Sequence, residues 1–148
     1  MTDANETNPD ASNKEIIRAF HHRLWGESDL SAIEEVIHPE AVTHWGDFES
    51  NTVDAVREDV ERYLAGFTAI ETTIGDLVAE GDKVVLRWST WGDHTGPYGK
   101  VEATGKRIVM EGVDVYRLGG GRIVEAWSMW DGLAVYQQLG LVAEDVGP

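Results

Sequence analysis

Two stretches, Arg107-Ile-Val-Met-Glu-Gly-Val-Asp-Val-Tyr-Arg117 and Arg122-Ile-Val-Glu-Ala-Trp-Ser-Met-Trp-Asp131, decide the fold, with Leu118-Gly119-Gly120-Gly121 between them. Both are rich in Val, Ile, Tyr and Trp, which suit a pleated surface. The glycines accept the positive φ values of a tight hairpin loop. A three-residue loop, Gly119 to Gly121, pairs Leu118 with Arg122, Asp114 with Ala126, Gly112 with Ser128 and Met110 with Trp130. Alternation then puts Ile108, Met110, Gly112, Asp114, Tyr116, Val124, Ala126, Ser128 and Trp130 on one face. The other face carries Val109, Glu111, Val113, Val115, Arg117, Ile123, Glu125, Trp127 and Met129. The first face holds one carboxylate, one hydroxyl and a glycine gap among large apolar groups, a pattern that fits a cavity wall. The alternative is that both faces simply pack, with Asp114 bonded to backbone. Arg117 and Glu125 are placed for a cross-strand ion pair on the second face.

Working outward, the 148 residues imply one domain with a sizeable core. The absence of cysteine excludes disulfides, thiol catalysis and cysteine metal sites. No apolar run is long enough for a bilayer, and the N-terminus lacks a secretory pattern, so a cytoplasmic location is expected. The net charge is -15, from 27 acidic and 12 basic residues. That charge argues against nucleic-acid and anionic-membrane partners, which need a basic footprint. Acidic groups are spread along the whole chain, and the basic residues are mostly Arg. This resembles the acidic, lysine-poor surface of a salt-adapted, halophilic protein.

Residues 1–11 read as a disordered acidic tail and 12–148 as the single domain. Ser12, with Glu15 three residues on, forms a capping box for a first helix carrying Ile16, Ile17, Phe20 and Leu24 to about Trp25. Asp29 or Ser31 starts a short second helix that stops at His38-Pro39. Ala41 to Trp45 is a strand. Asn51 or Thr52 caps a third helix with the stripe Val53, Val56, Val60, Tyr63 and Leu64. Thr68 to Glu80 and Lys83 to His94 are long strands joined at Gly81-Asp82. Thr95 to Lys106 reads as a loop, and Leu133, Val135, Tyr136 and Leu139 as a short C-terminal helix. Helices first and strands later mean α+β.

Several stretches resemble the SnoaL-like polyketide cyclase family of the nuclear transport factor 2-like superfamily. They are Trp25-Gly26-Glu27-Ser28-Asp29-Leu30, Glu80-Gly81-Asp82-Lys83-Val84, Gly92-Asp93-His94-Thr95-Gly96, Thr104-Gly105-Lys106-Arg107, Val113-Asp114-Val115-Tyr116-Arg117 with Gly121-Arg122-Ile123-Val124-Glu125, and Gln138-Leu139-Gly140. Each is short; their order and spacing carry the resemblance. It implies a cone-shaped, strongly curved antiparallel sheet with N-terminal helices over its inner face. It also implies a deep pocket for a small apolar carbonyl compound, and acid/base chemistry of cyclase or isomerase type without metal or cofactor.

Laid onto this chain, the resemblance implies catalytic positions at Asp114, His21, His44 and His94. Substrate-binding positions fall at Trp45, Trp88, Met110, Tyr116, Ser128, Trp130 and Asp131. In steroid isomerase relatives the position of Asp114 holds a carboxylic acid that bonds the substrate oxygen, and that of His21 holds a tyrosine. The family commonly reads Glu-His-Trp-Asp where this chain reads Glu125-Ala126-Trp127-Ser128. A serine hydroxyl donates a hydrogen bond but is no carboxylate base, and Asp131 replaces it only if the strand bulges. On the residues alone, burial beside Met110, Tyr116 and Trp130 raises the Asp114 pKa and suits it to proton transfer. Alternation sends Trp88 and Trp130 inward and Trp91 and Trp127 outward. The outer row of Trp127, Met129, Val113 and Val115 calls for a homodimer through the sheet. A non-catalytic ligand-binding or dimerisation module is the other function class open to this fold.

Overall fold

The central hairpin forms with a tighter loop than three residues. In the computed structural model, strand β5 (Arg107–Gly119) pairs antiparallel with β6 (Arg122–Trp130), and Gly119 faces Arg122. Only Gly120 and Gly121 remain in the loop, at φ 59° and 77°, values that Cβ-bearing residues rarely adopt. The pairing then slips once more between Arg117 and Leu118, where Leu118 faces Ile123 but Arg117 faces Glu125. Two one-residue changes add to two, so the expected faces survive beyond the bulge while every partner moves. Asp114 faces Ser128 instead of Ala126, and Gly112 faces Trp130. Ile123, expected outside, turns inward and is fully buried.

The structure describes residues 8–45, 48–50 and 52–145, with backbone alone at 48–50. Helix α1 (Pro9–His21) begins three residues before the expected capping box. Asn8 is its cap, accepting from the Asp10 amide at 3.1 Å, and Pro9 stands where no amide donor is needed. The remainder of the expected tail, residues 1–7, lies outside the described residues. The helix runs on through a π-helical turn (His22–Gly26). Short α2 (Ser31–Val36) passes directly into β1 (Ile37–Trp45), a longer strand than expected, which pairs with β2 (Phe48–Ser50). Thr52 caps α3 (Val53–Gly66) through the Ala55 amide at 3.3 Å. Then come β3 (Phe67–Glu80), β4 (Lys83–His94), the hairpin, and α4 (Gly132–Gln138).

Among the described residues the strands form one sheet in the order β2-β1-β6-β5-β4-β3. The pairings are antiparallel, as expected, except that β1 runs parallel to β6. Bulges in β3, in β6 and along β1 bend the sheet into a curved, unclosed wall. The α1 and α3 helices pack over its concave side. Buried apolar residues fall into two clusters, one around Ile17, Phe20, Ile33, Leu86 and Ile123, the other around Tyr63, Phe67, Ile108, Met110 and Leu139. Trp25, Leu64 and Trp88 pack against both.

Candidate active site

A cavity of about 500 Å³ opens on the concave side of the sheet. Its floor is built by alternate residues of β4, β5 and β6: Trp88 and Thr90, Met110, Asp114 and Tyr116, Ala126, Ser128 and Trp130. Thr43 and Trp45 of β1 close one side, and Phe20, Leu24, Val60 and Tyr63 close the helical side. Period-two alternation explains the floor: β4 and β5 bury nearly every second side chain here, and β6 turns Ala126, Ser128 and Trp130 to the same side. Trp88 lies across the centre because Gly112 gives it room. A Cβ on Gly112 would sit 2.5 Å from the Trp88 ring and 2.6 Å from the Met129 carbonyl oxygen.

Among the described residues Asp114 is the one carboxylate that β4, β5 and β6 bring to the cavity, and it is 7% exposed. Ser128 Oγ donates to its Oδ1 at 2.6 Å, and the Tyr116 hydroxyl donates to its Oδ2 at 3.1 Å. Burial pushes its pKa from 3.8 up to about 6. The donors from Ser128, then Tyr116, pull the other way because they favour the charged form, and the Trp88 indole adds the smallest pull. Among the described residues the Trp88 N–H, though near enough to Asp114 for that weak pull, makes no hydrogen bond of normal distance and angle. Its donor is therefore unspent. Burial, then the neighbouring Asp114, raises the Tyr116 pKa, so the phenol stays protonated.

The other expected site residues divide between the cavity and places outside it. Trp45, Trp88, Met110, Tyr116, Ser128 and Trp130 line the cavity with Asp114. His21 is 2% exposed in α1 and does not line it. Its Nε2 lies 2.7 Å from Thr72 Oγ1, and burial, then His22, lowers its pKa to about 4. His44 faces the opposite side of the sheet. It stacks on Trp127 at 5.2 Å and meets Glu125 at 2.9 Å. Local alternation at this end of β1 puts Thr43 and Trp45 at the cavity and His44 on the other side, so of the two expected neighbours only Trp45 lines it. His94 is fully buried but outside the cavity, stacked on Phe67 at 5.1 Å. The Thr104 amide donates to its Nδ1 at 3.1 Å. Asp131 caps α4 through the Ala134 amide at 3.0 Å, beside a separate hollow of about 190 Å³ with Glu111 and Gln138. Among the described residues no three His, Cys, Asp or Glu side chains converge as a metal site.

Sequence reading missed the contributions of α3, the loop and α4. Arg62 and Asp59, paired at 2.8 Å, stand at the cavity with Tyr98 and Tyr136. The α3 stripe pointed to Tyr63, but no local signal links Tyr98, in a glycine-rich loop, to the strands.

Residues 15–139 match the SnoaL-like polyketide cyclase family. AclR, a candidate hydroxylase from Streptomyces galilaeus, shares 27% identity over 90% of this chain and 84% of its own, with a TM-score of 0.84. A candidate polyketide cyclase from Acidithiobacillus ferrooxidans shares 31% identity over 97% of this chain and all of its own, with a TM-score of 0.76. IdmH, a candidate polyketide cyclase from Streptomyces antibioticus, shares 28% identity over 86% of this chain and 98% of its own, with a TM-score of 0.74. No curated protein matches the sequence. With the family matched over most of its length and a relative above 30% identity superposing along nearly all of it, the chain belongs to the SnoaL-like polyketide cyclases.

Proposed function

We propose that this protein is a small-molecule enzyme that moves a proton beside a carbonyl group in an apolar compound, with Asp114 as the acid/base group and no cofactor. The observation that carries the reading is the desolvated Asp114 carboxyl on an apolar floor, titrating at about 6. At neutral pH it is mostly ionised and still basic enough to take a carbon-bound proton. The electron pair of the broken C–H bond moves onto the carbonyl oxygen, and the unspent Trp88 N–H is the donor for that developing charge. The resulting enolate carbon attacks a second carbonyl of the same molecule in a cyclase, and Asp114 returns its proton to the new alkoxide. In an isomerase the proton returns to a different carbon.

Asp114→Asn keeps the shape and removes the exchangeable proton. With a cyclisable or isomerisable ketone, turnover is expected to fall roughly 100-fold while affinity for the ketone changes little. Turnover equal to wild type would remove Asp114 from the chemistry. A second reading, a non-catalytic binder of apolar ligands, is favoured by Ser128 and Ala126 standing where the family commonly has Asp and His. It expects ligand affinity without turnover in wild type.

The outer sheet face supports a homodimer, since Val113 is 38% and Met129 70% exposed there. Light scattering at micromolar concentration in molar potassium chloride is expected to give twice the chain mass. The net charge of -15 supports adaptation to salt, which screens self-repulsion. The melting temperature is then expected to rise from low to molar salt. Among the described residues no helix is long and apolar enough to cross a membrane.

A further inference from the structure

Ser128 faces Asp114 across the β5–β6 pair and Trp45 across the β1–β6 pair, and all three line the cavity. The Ser128 hydroxyl donates to Asp114 Oδ1 at 2.6 Å, a short bond of the kind a carboxylate acceptor makes. Among the described residues it has no other hydrogen-bond partner, so both lone pairs of its oxygen are unused. Ser128 is only part-buried, whereas Asp114 is buried. A ligand in the cavity can therefore meet the hydroxyl oxygen while the carboxyl holds its proton.

A serine hydroxyl attacks carbon when an adjacent base takes its proton during the attack. Imidazole, with a pKa of about 6.5, is the usual base for that task. Burial lifts the Asp114 carboxyl to about 6, which makes it nearly as strong a base and far stronger than an ordinary carboxylate. The Tyr116 hydroxyl, bonded to Oδ2 at 3.1 Å, holds the carboxyl with Oδ1 toward Ser128. The Trp88 N–H, near the same carboxyl and unspent, is the donor available to an oxyanion. Nucleophile, base, orienting group and oxyanion donor thus meet at one place on an apolar floor. Ala126, two residues earlier on the same face, sets only a methyl beside the hydroxyl.

We propose that Ser128 is a nucleophile activated by Asp114, and that the cavity hydrolyses neutral esters of apolar acids through an acyl-Ser128 intermediate. Ser128 Oγ bonds to the ester carbonyl carbon as its proton passes to Asp114 Oδ1. The C=O π pair moves onto the carbonyl oxygen, which faces the Trp88 N–H. That pair returns, the bond to the alcohol oxygen breaks, and Asp114 gives the departing oxygen its proton. Water then attacks the acyl carbon and passes a proton to Asp114. The acid leaves as Ser128 Oγ takes that proton back. The acid product ionises beside Asp114 in a chain of net charge -15, and like-charge repulsion favours its release. The same repulsion selects a neutral ester over an anionic one. The inference rests on the reading of Asp114 as the base of this cavity and extends it from carbon-bound protons to acyl transfer.

The test uses the full chain with two probes, p-nitrophenyl butyrate and an alkyl fluorophosphonate. The second loses fluoride to an activated serine and leaves an adduct that water removes only slowly. Wild type is expected to release p-nitrophenolate above the uncatalysed rate, and peptide mass mapping to find the phosphonyl group on Ser128. Ser128→Ala should lose the label and fall to the uncatalysed rate. Ser128→Cys should carry a butyryl thioester by intact mass, which guards against an alanine chain that does not fold. Asp114→Asn should slow labelling of Ser128 roughly 100-fold, the scale of a lost general base. Turnover or label that survives Ser128→Ala, a label on another residue, or no label in wild type overturns the proposal. Labelling of Asp114→Asn at the wild-type rate overturns Asp114 as the activating base. A wild type that converts the ketone but takes no label loses the nucleophile and keeps proton transfer at carbon. A labelled Ser128 with the ketone untouched keeps the nucleophile and loses that transfer.

Discussion

Asp114 and Glu125 stand on adjacent strands of one hairpin, on opposite faces, and their environments drive them in opposite directions. Asp114 has neutral donors only, the Ser128 and Tyr116 hydroxyls and more weakly the Trp88 indole, and burial outweighs them, so its pKa rises to about 6. Glu125 accepts from His44 at 2.9 Å and from Arg117 at 3.2 Å, and its pKa falls, chiefly through His44. Desolvation opposes that fall without winning. The lesson is that hydrogen bonds lower a carboxyl's pKa only as far as solvation lets them. A carboxyl near six can exchange a proton at neutral pH, whereas a carboxylate held between two basic groups is an electrostatic brace.

The sharpest way to break this contrast is to neutralise each group in turn. Asp114→Asn is expected to cut turnover roughly 100-fold, and Glu125→Gln to leave it within about threefold, measured on one ketone substrate. Similar losses from both would mean that the two faces do not differ in function.

Titration of stability gives the next largest effect. Asp114 has a raised folded pKa, so the native state holds the extra proton between pH 3.8 and about 6. Its contribution to stability is fully present below that window and declines as pH rises through it. Between pH 4 and pH 7 the unfolding free energy of wild type should fall by about 2–3 kcal/mol relative to Asp114→Asn. Glu125 has the opposite sign: its contribution is present above its unfolded pKa and is lost as pH falls through the lowered folded one. Denaturant melts at four or five pH values would show parallel curves for wild type and Asp114→Asn if burial did not raise Asp114.

Gly112→Ala probes the floor that desolvates Asp114. The added methyl meets the Trp88 ring and the Met129 carbonyl, and should cost about 2 kcal/mol while shifting tryptophan emission. An unchanged melt and spectrum would show that Trp88 does not depend on this gap.

The smallest effect belongs to the outer brace. The Arg117–Glu125 pair is partly exposed, so Arg117→Gln should lower stability by less than about 1 kcal/mol, and less still in molar salt. A larger, salt-independent loss would mean that this face is covered, as a dimer would cover it.

Much of this contrast is legible in the hairpin. Strict alternation assigns Asp114, Tyr116, Ser128 and Trp130 to one face and Arg117, Glu125 and Trp127 to the other, because the side-chain period of a strand is two. The pairing itself was not legible. A triple glycine accepts either a two- or a three-residue loop, and the bulge at Arg117–Leu118 has no local mark, so Ser128 comes opposite Asp114 only through the folded register. The same holds for Ile123, which the bulge turns into the core.

The histidines show the limit from another side. Sequence puts His21 on the margin of a helical stripe and His44 beside Trp45, which fixes neither depth nor neighbour. His44 is outside because β1 enters the sheet parallel to β6 in a register that stacks it on Trp127. His21 meets Thr72 because the curved sheet brings β3 under α1, a contact between residues 51 apart in the chain. The sequence by itself determined the class of fold, the acidic surface, the two faces of the hairpin and the carboxyl that occupies the inner one, since all of these follow from residue type and local period. Which hydroxyls reach that carboxyl, which histidines stay away from it and how large a cavity remains were decided by tertiary structure, because loop length, bulges and sheet curvature set distances between residues that no local pattern connects.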